Sequence, residues 1–224
     1  ETFAKKEIQQ NTVLHHSVID LEKQKAGYIV FESFIDISID ELDNAFATFK
    51  DEDITKLILD LRYNGGGSTE VAQHLGSLIA GKTAKGEVFQ RLMFNDQHAE
   101  ENSNEDNISR FTEENYTLDI DTLVVIATKS TASASEAIIN GLEPFIDVVI
   151  VGEDTYGKPV GMSGFVEQMT STVLFPVTFK IVNSNNEGGY YNGLQADAYV
   201  NDDLTHPFGD LDEACLNQAV YYLN

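Results

Sequence analysis

The chain has 224 residues, with 14 Lys and Arg against 37 Asp and Glu, a formal net charge of −23. That length supports one large domain with a substantial core, and that charge argues against nucleic acid or an anionic membrane surface as partner, since both reward basic patches. A single cysteine, Cys215, excludes an internal disulfide, and no apolar run reaches the length needed to cross a bilayer.

Residues 1–12 are polar and read as an N-terminal remnant or linker, with one domain over 13–224. No signal peptide opens the chain, and Glu1 in place of Met suggests a processed product or a cut fragment. Thr12 to Leu21 alternates and reads as a strand, and Gly27 to Phe34 as another. Ser38-Ile-Asp-Glu41 has the form of a capping box, and Leu42, Ala45, Phe46 and Phe49 recur at helical spacing, which predicts a helix over 39–50. Lys56 to Leu61 is a short buried strand that ends at a glycine turn. Ser68-Thr-Glu70 starts a helix with Val71, Leu75, Leu78 and Ile79 on its apolar side, and Gly81 ends it. Arg62 and Asn64 flank the glycine turn, and the ordinary role for Arg62 is a structural ion pair. Val88 to Phe94 reads as a strand. Asn95 to Asn115 is polar and acidic, and reads as a long loop, either a flap or a variable insertion.

The chain is organised around Asp121 to Lys158. An apolar strand, Thr122 to Ala127, runs into a turn of small residues, Thr128 to Ser133, and then a helix from Ala134 to Leu142. A second apolar strand, Val148 to Val151, leads to Thr155-Tyr-Gly-Lys158. Strand, serine turn, helix, strand and lysine loop make one βαβ-like unit, and such units set polar side chains at the carboxyl ends of neighbouring strands. Beyond it, Phe165 to Met169 and Thr172 to Val182 predict a hairpin that turns at Thr170-Ser171. Asn183 to Asn192 is turn-rich, and Glu213 to Leu223 predicts a last helix holding a buried Cys215.

A serine hydroxyl is a weak nucleophile and needs a base beside it. Lysine can serve when neutral, and burial lowers its pKa toward that state. Ser133 lies where backbone can approach a substrate closely. The helix after it aims free N–H groups at the turn, which suits a developing oxyanion, with Ala134 as donor. Each feature has a plain structural reading as well. Ser130, Ser133 or Ser135 could simply cap the helix, Lys158 could be a surface lysine, and a triple glycine is often only a turn. His15 and His16 point to opposite faces of a strand, and His74 and His98 lack partners at ligand spacing. No metal and no cofactor are expected.

Taken jointly, Ser130-Thr-Ala-Ser133-Ala-Ser-Glu136, Thr155-Tyr-Gly-Lys158 at 158 − 133 = 25 residues on, and Asp60-Leu-Arg-Tyr-Asn-Gly-Gly-Gly67 upstream resemble the S41 serine peptidases, the C-terminal processing or tail-specific proteases. The resemblance covers roughly residues 26–223. It implies an α/β fold of the ClpP/crotonase type, with stacked ββα units, a mainly parallel sheet and outer helices. It implies a serine endopeptidase acting on polypeptides, near their C-termini, with Ser133 as nucleophile and Lys158 as general base. Ala134 and Gly65 or Gly66 would supply the oxyanion-hole amides, and Thr155 and Glu136 would support them. It implies an exported bacterial protein of the periplasm or cell envelope, with no membrane contact by this segment itself. Many relatives carry a PDZ domain, for which no stretch is visible here. Many also place a glutamine four residues after the lysine, where this chain has Met162, leaving Thr155 as a candidate to orient the base. The alternatives are a non-catalytic ligand-binding module of the same fold, as in the interphotoreceptor retinoid-binding proteins, or an acyl-CoA enzyme of the crotonase type.

Overall fold

A computed structural model describes residues 10–224. Six strands form the main sheet: β1 (Val13–Asp20), β2 (Lys25–Phe31), β3 (Lys56–Asp60), β6 (Thr122–Ala127), β7 (Asp147–Gly152) and β12 (Ala198–Tyr199). They stand in the order β1-β2-β3-β6-β7-β12. Only the β1–β2 pair is antiparallel, and the rest run parallel. Parallel strands need crossovers, which helices provide. Helix α1 (Ser38–Asp51) joins β2 to β3, and α3 (Ala134–Leu142) joins β6 to β7.

Alternation along each strand sorts side chains to two faces. Leu57, Leu59, Leu123 and Val125 face one core with α1, α2 (Thr69–Ala80) and α3. Ile58, Val124 and Ile126 face the other, under α4 (Ala214–Leu223). Both faces are covered, so these strands read as continuous apolar runs in sequence. The fold is therefore mixed α/β with a mainly parallel sheet and outer helices, as expected.

A second, antiparallel sheet stands beside the first, in the order β5 (Ile108–Arg110), β4 (Val88–Met93), β11 (Val177–Val182) and β8 (Val160–Met162). A separate two-stranded ribbon pairs β9 (Phe165–Glu167) with β10 (Thr172–Leu174). The predicted second arm of that hairpin is thus two strands, broken at Phe175-Pro176, because proline has no N–H to give to a ladder.

Two local expectations are corrected. Ser38-Ile-Asp-Glu41 is not a capping box. The helix is preceded by Ile37 without a side-chain cap, and Ser38 Oγ donates to Ser33 O at 2.8 Å. Glu41 instead accepts from the Thr12 and Val13 amides at 2.6 and 2.9 Å and from the Thr12 hydroxyl at 2.8 Å. The stretch 95–115 is not one long loop: it holds 3₁₀ turns over Asp96–Ser103 and Glu105–Asn107, followed by β5 on β4. Of the predicted N-terminal remnant, residues 1–9 lie outside the described residues, and Thr12 is buried against Glu41.

Candidate active site

The three sequence elements sit at the carboxyl ends of adjacent strands. The glycine turn follows β3, the serine turn follows β6 and the lysine loop follows β7, and these strands are neighbours. Parallel register brings their ends level, with Asp60 opposite Ile126 and Ala127 opposite Gly152.

The serine turn is built from its own hydroxyls. Thr131 Oγ1 donates to Leu61 O at 2.8 Å and accepts from the Thr128 amide at 3.0 Å. Asn64 then joins the glycine turn to it: its carbonyl accepts from the Ala132 amide at 3.1 Å and the Ser135 hydroxyl at 3.0 Å. The Asn64 side chain donates to Phe31 O at 2.9 Å. Ser133 sits at φ 59°, ψ −114°, a conformation that non-glycine residues adopt only when their surroundings enforce it. Gly66 abuts it so closely that a Cβ there would lie 2.7 Å from Ala132 O and 2.8 Å from Ala134 N. Only glycine fits this junction.

Glu136 makes the connection that matters most. It is fully buried in the first turn of α3. One carboxylate oxygen accepts from the Ser133 amide at 2.9 Å and the Lys158 amide at 2.8 Å. The other accepts from the Thr155 hydroxyl and the Gly157 amide, both at 2.6 Å. A single carboxylate thus fixes the backbone of both Ser133 and Lys158. The Tyr156 amide adds a tie to Thr131 O at 2.9 Å. Beside Glu136, the Tyr190 hydroxyl is buried without a hydrogen-bond partner. Burial first, and then the charges of Glu136 and Glu143, push its pKa up and keep it neutral.

Ser133 and Lys158 line one cleft of about 570 Å³, together with Gly65, Gly66 and Gly67. Its far wall is apolar, with Met162, Phe175 and Phe179 from the second sheet and its flank. Lys158 makes no ion pair among the described residues. Of the two glycines expected to offer an oxyanion donor, Gly66 has its N–H taken by Asn64 Oδ1 at 2.9 Å. The expectation narrows to Gly65, which also borders the cleft. Thr155 does not orient the Lys158 side chain. Its hydroxyl donates to Glu136 and accepts from the Leu194 amide at 2.7 Å, so it braces the loop instead.

Arg62 takes the structural role. Its guanidinium meets Asp60 at 2.7 Å, Asp202 at 2.9 Å and Glu213 at 2.9 Å. Asp202 and Glu213 were not marked by any local pattern, since they lie 140 and 151 residues away. Among the described residues no group of three or more His, Cys, Asp or Glu side chains is placed to hold a metal ion, and no helix is long and apolar enough to cross a membrane.

Fold and site together define an α/β protein in which a strained serine and a lysine border one cleft beneath a glycine-rich turn. The sequence model of Peptidase family S41 matches residues 25–200. The chain belongs to peptidase family S41. It is 26% identical over 148 residues to the chloroplastic carboxyl-terminal-processing peptidase 3 of Arabidopsis thaliana, which covers 66% of this chain and 26% of that protein. A crystal structure from Bacteroides fragilis described as an S41 protease superposes with a TM-score of 0.87 at 27% identity, over 97% of this chain and 59% of that one. The photosystem II D1 C-terminal processing protease has the same fold, with a TM-score of 0.66 at 19% identity, over 88% of this chain and 50% of that one. The chain thus spans about a quarter of the curated relative's length.

Proposed function

We propose that this chain is a serine endopeptidase that cleaves polypeptides with a Ser133–Lys158 dyad. The observation that carries the reading is the shared carboxylate: Glu136 holds the Ser133 and Lys158 amides at 2.9 and 2.8 Å, on the edge of a cleft that both residues line. Ser133 Oγ attacks the scissile carbonyl carbon as the Lys158 amine takes the hydroxyl proton. The oxyanion forms against the N–H groups of Ala134 and Gly65. Losing one such donor raises a barrier by about 3 kcal/mol. Lys158 then passes the proton to the leaving amine as the C–N bond breaks. Water, deprotonated by the same lysine, hydrolyses the acyl-enzyme and releases Ser133.

Side chains and backbone amides perform every step. The relatives' names support polypeptides cleaved near their C-termini as substrates, and an exported location is proposed from the family resemblance alone. The test is mass-spectrometric detection of fragments from an unfolded protein substrate. The parent chain is compared with Ser133→Ala and Lys158→Ala. Cleavage by the parent and loss in both folded variants is the expected result. Equal cleavage by all three would overturn the dyad.

A further inference from the structure

The β9–β10 ribbon is the part of the fold least accounted for by the chemistry. Its strands pair Phe165 with Leu174 and Val166 with Val173, and every one of these side chains is exposed, Val166 by 67% and Leu174 by 59%. Met169, at the turn, is 94% exposed. A protein of net charge −23 carries a single charged residue, Glu167, between Val160 and Phe179. Soluble proteins usually protect sheet edges with charge, proline or a covering element. Here both outer edges of the ribbon pair with no other strand among the described residues, and its faces are apolar. Such a surface marks a site of interaction.

The ribbon grows out of the cleft wall. Met162 precedes it and Phe175 follows it, and both side chains line the cleft that holds Ser133 and Lys158. The apolar surface is therefore continuous with the proposed reaction site. We propose that the β9–β10 ribbon is a docking platform for the polypeptide substrate, gripping an extended apolar stretch to one side of the scissile bond. Its open edges offer backbone hydrogen bonds to an added strand, and its side chains take the substrate's apolar residues. At about 3.3 Å per residue, Met162 to Met169 runs up to roughly 23 Å, the length of about seven extended substrate residues. The low charge of the ribbon removes the repulsion that the acidic body imposes on acidic chains, and its surface rewards apolar ones. The identity of the occupant rests on the peptidase reading above.

The test measures binding apart from catalysis. A fluorescein-labelled synthetic polypeptide with a Leu/Val-rich stretch and no net charge is titrated against Ser133→Ala, and against the same protein carrying Val166→Ser, Met169→Ser and Leu174→Ser. The expected result is at least tenfold weaker binding by the ribbon variant. A control polypeptide with Ser at the apolar positions should bind both proteins equally weakly. Val173→Lys alone is the second variant, and unchanged melting temperatures confirm that each is folded. Equal affinity of folded variants for the apolar polypeptide would overturn the platform. So would a parent that dimerises, and ribbon variants that do not, with polypeptide binding unaltered: the patch would then belong to a second copy. Labelling of Ser133 by a fluorophosphonate, with the native serine in place, should be unchanged by the ribbon substitutions. Failure to label any of them would count against the dyad and leave the binding result to stand on its own.

Discussion

Glu136→Gln is the sharpest perturbation of the site that leaves its shape intact. The carboxylate accepts four hydrogen bonds, from Ser133, Lys158, Thr155 and Gly157. An amide keeps one acceptor oxygen and turns the other into a donor. If the nitrogen faces Ser133 and Lys158, it meets two N–H groups. If it faces Thr155 and Gly157, the hydroxyl can rotate to accept, but the Gly157 N–H is left opposed. The second orientation is the less damaging. It forfeits one hydrogen bond to a charged group and strands one buried donor, a loss of about 2–4 kcal/mol, with relief from burying a charge offsetting the upper end. For a chain of this size, a loss of about 3 kcal/mol lowers the melting temperature by about 6–12 °C. The Ser133 conformation stores strain of about 1–3 kcal/mol, and Glu136 is one of the contacts that enforce it. The variant should therefore also label with a fluorophosphonate at least tenfold more slowly. Scanning calorimetry and labelling kinetics read the two effects. A melting temperature within about 2 °C of the parent and an unchanged labelling rate would refute the assigned role.

Gly65→Ala and Gly66→Ala should behave oppositely: nothing lies within 4 Å of a Cβ at residue 65, whereas one at 66 would strike Ala132 O at 2.7 Å from a φ of +96°. The first should keep the parent's melting temperature, and the second should unfold more readily by about 3 kcal/mol or more and lose hydrolysis. Ser133→Gly should abolish hydrolysis yet unfold no more easily than the parent in urea, since relief of strain at φ 59° offsets the entropy glycine adds to the unfolded chain. Burial alone would raise the Glu41 pKa, but the bonds from Val13 and Thr12 bring it below 4.5. Its contribution is present above that value and lost as pH falls through the lowered one, so hydrogen exchange at Thr12 and Val13 should accelerate there, and not in Glu41→Gln. Burial first, and then Glu213, pushes the Cys215 thiol from 9.0 up to about 12. The folded chain keeps a proton across that window that the unfolded chain gives up, so stability should fall as pH rises through it, and native Cys215 should resist iodoacetamide until urea unfolds the chain.

What could be read from the sequence was local or periodic. The run Thr122 to Ala127, the small-residue turn and the helix from Ala134 follow one another without interruption, and the structure keeps those bounds. Ser68 caps α2 through the Glu70 and Val71 amides, as its position before an apolar periodic run suggested. Misreadings arose where the same local signal had a competing partner far off in sequence. Glu41 stands where a capping box wants it, but the start of β1 offers it three donors. The stretch 95–107 is ordered by Asn95 and Asn104 side chains bonding amides two residues on, a pattern with no hydrophobic period to reveal it. Arg62 was legible as an ion-pair former, but Glu213 as its partner was not.

The same contrast between local and distant partners bears on Met162, which stands where many resembling peptidases place a glutamine after the lysine. That position, Met162, belongs to β8, in the antiparallel sheet on the far side of the cleft. Ser133, Lys158 and the glycine turn belong to the carboxyl ends of β6, β7 and β3, within one parallel sheet. A side chain from the second sheet can hold the lysine tip only if the two sheets keep a fixed separation. Glu136 acts within the first sheet, on the backbone of both residues, and needs no such constraint. Met162 contributes an apolar surface continuous with Phe175 and the ribbon beyond it. Methionine at this position thus extends an apolar wall along the cleft, while the placement of the Lys158 backbone rests on Glu136.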